Sequence, residues 1–374
     1  MIEHGFGGVF QGRRVFLTGH TGFKGSWLAL WLAELGAEVH GYALAPPTQP
    51  SLFAEAGIES RLASHRIADV RDAPALARAL REIQPELVFH LAAQPLVRHS
   101  YAEPRETYEA NVMGTVNLLE AVRGVDTVRV CQVVTTDKCY ENREWVYAYR
   151  ENDPLGGYDP YSSSKACAEL VVSAYRRSFF PPEHRVSLAS ARAGNVIGGG
   201  DWALDRIVPD CIRALEEERP IPVRNPQAVR PWQHVLEPLS GYLLLAARQW
   251  EEPARFADAW NFGPTAAGHL TVRELVELLL AEWGEGAWEP PPGEHATPHE
   301  AGFLKLDITK AHNLLGWYPV YSAAEAVRAS VEWYRERHDS GAAVAEMCVR
   351  QIEAYSECAR QAGLPWAAPV PAAV

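Results

Sequence analysis

Tyr161 and Lys165, four positions apart in the string YSSSK, are the pair in this chain best suited to moving a proton. On a helix, residues at that spacing fall about 40° apart on one face. A free phenol, with a pKa of about 10, is a poor base at neutral pH, but an ammonium one turn away favours the phenolate and draws the pKa toward the working range. Upstream, Thr135, Thr136, Asp137 and Lys138 follow the apolar run CQVV. A threonine hydroxyl there can bond a substrate hydroxyl and align it with Tyr161. Asp137 adds what oxidation or epimerisation at a carbinol does not need, a proton donor for a departing hydroxyl, provided its carboxyl is kept protonated in a dry pocket.

The element that must position these groups begins at Val15. VFLTGHTGFKG, followed by SWLALWLAELGAEVHGY, reads as strand, tight turn and helix, the opening of a dinucleotide-binding unit. Its glycines stand three apart, GxxGxxG. Gly19 permits the turn, Gly22 lets the backbone approach a pyrophosphate, and Gly25 lets the helix pack close on the strand, with the phosphates on the helix N-terminus. A positive nicotinamide ring would add to the pull of Lys165 on the Tyr161 phenol. His20 and Lys24 stand where such a loop normally carries small or apolar residues; they approach the pyrophosphate or nicotinamide, or they face solvent. About 20 residues beyond the loop, where an acid normally grips the adenosine ribose, the second strand (residues 38–44) presents Tyr42, then Ala43, Leu44 and Ala45. With neither a carboxylate nor an arginine for a 2′-phosphate, the site leans to NAD over NADP, and weak cofactor affinity is expected.

Strands and helices then alternate. LVFHLAAQ (87–94) is a core strand whose terminal Ala92 and Ala93 either leave room for a ligand or serve helix packing, and TYEANVMGTVNLLEAVR is an amphipathic helix carrying Asn111. This alternation predicts an α/β fold with a doubly wound, parallel, Rossmann-type sheet and a smaller carboxyl-terminal substrate-binding α/β lobe. Beyond Asn195 the chain becomes rich in proline, arginine and tryptophan. The expected division is 1–194 plus about 235–265 for the cofactor and 195–234 plus 266–360 for the substrate, with 361–374 a disordered tail. No internal repeat is visible.

Composition excludes several classes. The chain has 374 residues, with 35 Lys plus Arg against 47 Asp plus Glu, a net charge of -12, and no basic block. Binding to nucleic acid or an anionic membrane by bulk charge is therefore not expected. The six cysteines form no CxxC pair and suit reduced thiols of a cytoplasmic protein. No apolar run reaches membrane-spanning length, MIEHGFGG lacks a signal peptide's apolar segment, and the 13 histidines show no metal-ligand spacing, so no metal is expected.

Taken in order, GHTGFKGSWL, HLAAQPLVRHSY, NVMGTVNLLEA, TTDKCYEN, YDPYSSSKACAEL and RAGNVIGGGDW resemble the extended short-chain dehydrogenase/reductases and, among them, the CDP-glucose branch of the nucleotide-sugar 4,6-dehydratases. The resemblance runs from about Val15 to Pro319. It implies bound NAD and a CDP-D-glucose substrate, converted to CDP-4-keto-6-deoxy-D-glucose by oxidation at C4, loss of water across C5 and C6, and return of hydride to C6. The implied catalytic residues are Thr136, Asp137, Lys138, Tyr161 and Lys165. The implied cofactor residues are Gly19, His20, Gly22, Phe23, Lys24, Gly25, Asp69, Val70, Leu91, Ala92, Ala93, Asn111 and Thr135, with Tyr161 and Lys165. The sugar nucleotide falls to Gln94, Thr136, Asn195, Arg206 and Arg230, two guanidinium groups suiting a diphosphate. The related dTDP-glucose enzymes carry a glutamate where this chain has Lys138, so Lys138 is the expected C5 base and Glu141 the runner-up. A homodimer or dimer of dimers, built on the helices bearing Asn111 and Tyr161, is also implied. A nucleotide-sugar 4-epimerase, or a non-catalytic cofactor-sensing protein, would share the scaffold.

Overall fold

The structure, a computed structural model, describes residues 5–290, 302–340 and 343–368. Seven strands form one sheet: β1 (Arg14–Thr18), β2 (Glu38–Ala43), β3 (Ser64–Ile67), β4 (Leu87–His90), β5 (Val130–Val134), β6 (Ser187–Ala193) and β7 (Ala259–Phe262). Their order is β7-β6-β5-β4-β1-β2-β3, and every pairing is parallel. The predicted doubly wound sheet is thus present. The central strands β4 and β5 are wholly buried, which is why LVFH and VCQVV read as unbroken apolar runs instead of alternating. Strand order reverses between β1 and β4, and the crevice beyond their carboxyl ends is where such sheets bind ligands.

Helix α1 (Phe23–Glu34) is apolar around nearly its whole circumference, with Trp27, Leu28, Leu30, Trp31 and Leu32 buried. A helix of that kind needs cover on both sides. The sheet covers one. The other lies against α4 (Val344–Gln361), α2 being Pro160–Ser178 and α3 Leu236–Glu251. Trp31 meets Tyr355 edge-on at 5.9 Å and Trp366 at 6.2 Å, and Trp366 stacks on Phe6 at 4.8 Å. One expectation changes accordingly. Residues 361–368 are not a disordered tail, because Trp366 has an aromatic socket waiting for it; 369–374 lie outside the described residues. Helix α4, which falls within the expected 266–360 unit, packs on α1.

The segment after β6 builds three small strand pairs, Val196–Ile197 with Gln233–His234, Val229–Pro231 with His269–Thr271, and Ile221–Pro222 with Trp288–Glu289. Helices Ile207–Glu216 and Val272–Trp283 accompany them. The expected loop at 289–300 falls mostly outside the described residues. The Asn111 helix is interrupted by a π-turn, Glu109–Met113, between Pro104–Tyr108 and Gly114–Arg123. Cys358 is exposed, unlike the buried thiols of Cys131, Cys139, Cys211 and Cys348, and all six are free.

Glu237, at the start of α3, ties the carboxyl-terminal elements to the core. Its carboxylate accepts from Val320 N at 2.9 Å, Tyr321 N at 2.6 Å and Tyr355 Oη at 2.7 Å. Burial lifts its pKa from 4.5 to about 7 in spite of these donors. A carboxyl whose folded pKa is raised contributes stability that is complete below the unfolded value and lost as pH climbs through the folded one. The shift corresponds to something on the order of 3 kcal/mol across that window. Calorimetry at about pH 5 and about pH 8 should show a fall in Tm that is smaller in Glu237→Gln than in wild type; equal falls would assign the pH dependence elsewhere.

Candidate active site

The turn after β1 is held by contacts that only glycine allows. Gly19 has φ 77°, and a Cβ there would lie 2.6 Å from the backbone nitrogen of Ala92. A Cβ on Gly25 would come within 2.0 Å of the Gly19 carbonyl oxygen. Gly22 differs: it is the N-cap of α1, has no side-chain cap, and a Cβ there would meet only the Gly19 oxygen, at 3.5 Å. The protein itself leaves this position open, and the first turn of α1 faces the space that a side chain would fill. That is the cradle a pyrophosphate requires.

His20 takes neither of the places expected for it. It is buried behind the loop, with its ring against Gly41 and Phe53 and Nε2 2.7 Å from His65 Nδ1. Burial, reinforced by His65, draws its pKa down to about 4, so it packs as a neutral ring. Lys24 does turn into the cleft, where its Nζ donates to Tyr242 Oη at 3.3 Å. Burial, then Lys165 and Arg206, bring it down to about 7 against the pull of Asp137.

Across the crevice, Leu91, Ala92, Ala93 and Gln94 line the wall. The Gln94 side chain is committed to its own loop, donating to Thr107 Oγ1 at 2.8 Å and accepting from Leu96 N at 2.6 Å. Asn111 does not reach the wall. The π-turn aims it inward, where it accepts from Gln94 N at 2.8 Å and donates to Ser164 Oγ at 2.9 Å. It therefore shapes the wall from behind. Asp69 and Val70 line the crevice beside the end of β2; Asp69 accepts a two-pronged bond from Arg71, at 2.8 and 2.6 Å. Tyr42 is turned into the core with its hydroxyl on the Asp69 carbonyl, leaving Ala43, Leu44 and Ala45 at the cleft.

The chemistry-bearing groups converge below. Asp159 caps α2 by accepting from Ser162 N at 2.9 Å, which places Tyr161 in the first turn. Thr136 donates to Asp137 Oδ1 at 2.9 Å and stands beside the Tyr161 phenol, so its hydroxyl lies between phenol and carboxylate. Asp137 is fully buried just beneath the wall; its Oδ2 faces Gly194, where a Cβ would come within 2.0 Å, and has no hydrogen-bond partner. Lys138 lines the cleft with its side chain 29% exposed and its Nζ 3.8 Å from Asp137 Oδ1. It is neither buried nor beside a cation, the two settings in which a lysine was expected to serve as base. Glu141 also lines the cleft.

One electrostatic expectation is reversed in the protein alone. Burial pushes the Tyr161 phenol up to about 12, and the Thr136 hydrogen bond only moderates that rise. Lys165, donating to the Val134 carbonyl at 3.3 Å, is itself brought down to about 8 by burial, against the pull of Glu169. Desolvation is the largest cause of both shifts.

The fourth wall comes from the segment after β6. Asn195, with φ 21°, presents a buried Oδ1 that has no partner, Arg206 donates to Asp201 at 2.9 Å, and Arg230 donates to the Val229 carbonyl at 2.9 Å. All three line the same cleft as the glycine turn. Sequence reasoning missed a bridge across its mouth, in which Asp205 meets Arg98 at 3.2 Å and Arg224 at 3.0 Å. Lone charges in loops carry no spacing signal. The cleft encloses about 1640 Å³, more than the range of about 300–1,000 Å³ usual for one small ligand. Among the described residues, no group of three His, Cys, Asp or Glu side chains could hold a metal ion, and no helix is long and apolar enough to cross a membrane.

Similar proteins are known. The family model described as GDP-mannose 4,6 dehydratase matches residues 16–330. The CDP-glucose 4,6-dehydratase of Salmonella typhimurium is 54% identical over 339 residues, covering 90% of this chain and 93% of that protein. Among solved structures, the dTDP-glucose 4,6-dehydratase of Streptomyces venezuelae, with NAD and TYD bound, superposes with a TM-score of 0.73 at 28% identity, covering 87% of this chain and 98% of that one. The epimerase Mth375 of Methanothermobacter thermautotrophicus shares the fold, with a TM-score of 0.76 at 22% identity over 91% of this chain and 96% of its own. Matched over most of its length both by the family model and by a relative of more than half identity, the chain belongs to the GDP-mannose 4,6 dehydratase family.

Proposed function

We propose that this protein is an NAD-dependent hydro-lyase that converts CDP-D-glucose to CDP-4-keto-6-deoxy-D-glucose. The observation that carries this is the cleft in which Tyr161, Lys165, Thr136 and Lys138, with Asp137 directly behind Thr136, meet the glycine turn on one side and Asn195, Arg206 and Arg230 on the other. The choice of cytosine rests on the likeness to the Salmonella enzyme. The cofactor unit comprises 5–194, about 235–265 and, from its packing, 344–368; the sugar nucleotide unit comprises 195–234 and 266–340.

The residues fit NAD. The open face of Gly22 and the uncapped first turn of α1 suit its pyrophosphate, and Ala43 to Ala45 offer its ribose no charged grip. When bound, the nicotinamide supplies a reversible store for the hydride removed at C4 and returned at C6. Tyr161 takes the proton of the 4-hydroxyl, aligned by Thr136. The 4-ketone acidifies the C5 proton; Lys138 removes it only if the bound substrate and cofactor supply the burial or neighbouring cation that leaves its amine neutral, and Glu141 is the competing base. Asp137 protonates the departing 6-hydroxyl, and Lys165 supplies the positive charge that draws the phenol down from its buried value. Dimerisation through the helices bearing Asn111 and Tyr161 would cover Met113 and Leu170, which are 51% and 58% exposed.

Turnover against a panel of CDP-, dTDP-, UDP- and GDP-glucose is expected to favour CDP-glucose, and deuterium placed at C4 should reappear in the C6 methyl group; label lost to water would reject the scheme. An epimerase would instead give no 4-ketone. For the cofactor, Gly22→Ala should keep the wild-type Tm but bind NAD about ten-fold more weakly, whereas Gly25→Ala should lose stability. A nanomolar NAD dissociation constant for the wild type would contradict the bare ribose site. Exchange of the C5 hydrogen with solvent should disappear in Lys138→Ala and persist in Glu141→Gln; the opposite pattern transfers the role of base to Glu141.

A further inference from the structure

Behind the cleft, out of reach of any ligand in it, lies a buried ion pair that the scheme above does not use. Glu169 stands four residues after Lys165 on α2, on the same helical face and within a turn of it. Its Oε1 accepts from Thr135 Oγ1 at 2.5 Å, and its Oε2 accepts from Ser190 Oγ at 2.8 Å and from Arg192 Nη2 at 2.7 Å. Arg192 in turn donates to Tyr140 Oη at 2.9 Å and to the Glu151 carbonyl at 3.1 Å. The two side chains are only 4% and 2% exposed. A pair buried so deeply is no economical source of stability, since well-packed apolar residues of similar volume often do as well or better. Its position is more informative than its energy.

We propose that Glu169 is a positioning residue for the reaction: clamped by Arg192 and Ser190, it keeps Lys165 cationic one helical turn from Tyr161 and holds Thr135 at the cofactor side of the cleft. This rests on the role given above to Tyr161 and Lys165. The groups around Lys165 leave few alternatives. Tyr161 and Glu169 share its helix. Lys24 from α1 opposes its charge, as does any charge on His90 at the end of β4, although burial keeps His90 near a pKa of about 3 and hence neutral. Cys139, from the turn after β5, has its thiol pushed well up by burial and stays protonated. Asp137, in the same turn, acts on Lys24 and Tyr161. Glu169 is the strongest of the groups that favour the charged amine. Burial alone would make Glu169 itself a weaker acid, but Arg192 and the hydrogen bonds from Thr135 and Ser190 hold its carboxyl below the usual range, so it stays negative wherever Lys165 titrates.

The chain has five lysines, Lys24, Lys138, Lys165, Lys305 and Lys310, so lysine-selective carbon-13 labelling of the full-length protein gives a resolvable set of side-chain signals. Lys165→Arg assigns the one of interest. In Glu169→Gln the titration midpoint of Lys165 should fall by about one pH unit, a ten-fold loss in proton affinity, and Glu169→Asp should restore most of it. The high-pH limb of kcat/KM for CDP-glucose should move down in step, because the amine must be charged and loses its charge as pH rises. An unchanged Lys165 midpoint in folded Glu169→Gln protein would overturn the proposal and leave the pair merely structural. Should Glu169→Gln not fold, because Arg192 is left unpaired, the double variant Glu169→Gln/Arg192→Met removes both charges, and a fall relative to Arg192→Met alone is required of it. The titration needs no turnover: if wild type ignores CDP-glucose, the functional assignment fails while this result stands.

Discussion

Two backbones approach each other at the carboxyl edge of the sheet more closely than side chains would permit, and the rest of the site is built outward from that contact. Gly19 lies against Ala92, and Gly25 lies against Gly19 itself. The turn after β1 is thereby wedged into the gap between β1 and β4, and the amino end of α1 is aimed across it. Every other wall is placed relative to this one. The β4 extension is tied from behind by Asn111, α2 is started by Asp159, and the segment after β6 reaches back to the β4 side through the Asp205–Arg98 bridge.

The electrostatics of the cleft contrast with those of the whole molecule. The chain carries a net charge of -12, yet Lys24, Lys138, Lys165, Arg206 and Arg230 line one continuous space. Carboxylates such as Asp201 and Asp205 share the lining, so the cleft is close to balanced in charge and suits anionic ligands held by short-range contact rather than by bulk attraction. It also sets the cations against one another. Burial and mutual repulsion work to discharge Lys24 and Lys165, and the carboxylates of Asp137 and Glu169 oppose that tendency from below the wall.

Much of this was legible in the residues. Glycines three apart between an apolar strand and an apolar helix, and a tyrosine and lysine one turn apart beyond a TTD turn, located the cleft because each depends on local spacing. What escaped depends on contacts between segments far apart in the chain. His20 looked like a ligand group because it sits in the loop, but its partner, His65, lies 45 residues on. Asn111 points away from the cleft because a π-turn, which has no sequence signature, rotates it. The last described residues looked unstructured by composition, and the socket that orders Trp366 is made by Phe6, Trp31 and Tyr355. The direction of the Tyr161 shift also escaped, since helical spacing reports a neighbouring charge and is silent on how much water is excluded.

The stacking of Trp366 on Phe6 draws the two ends of the described chain onto the outer face of α1. That helix is made well before the segment 344–368 that covers its far side. Until that segment arrives, the tryptophan-rich surface behind the glycine turn stays bare, a patch on which chaperones or neighbouring nascent chains can settle.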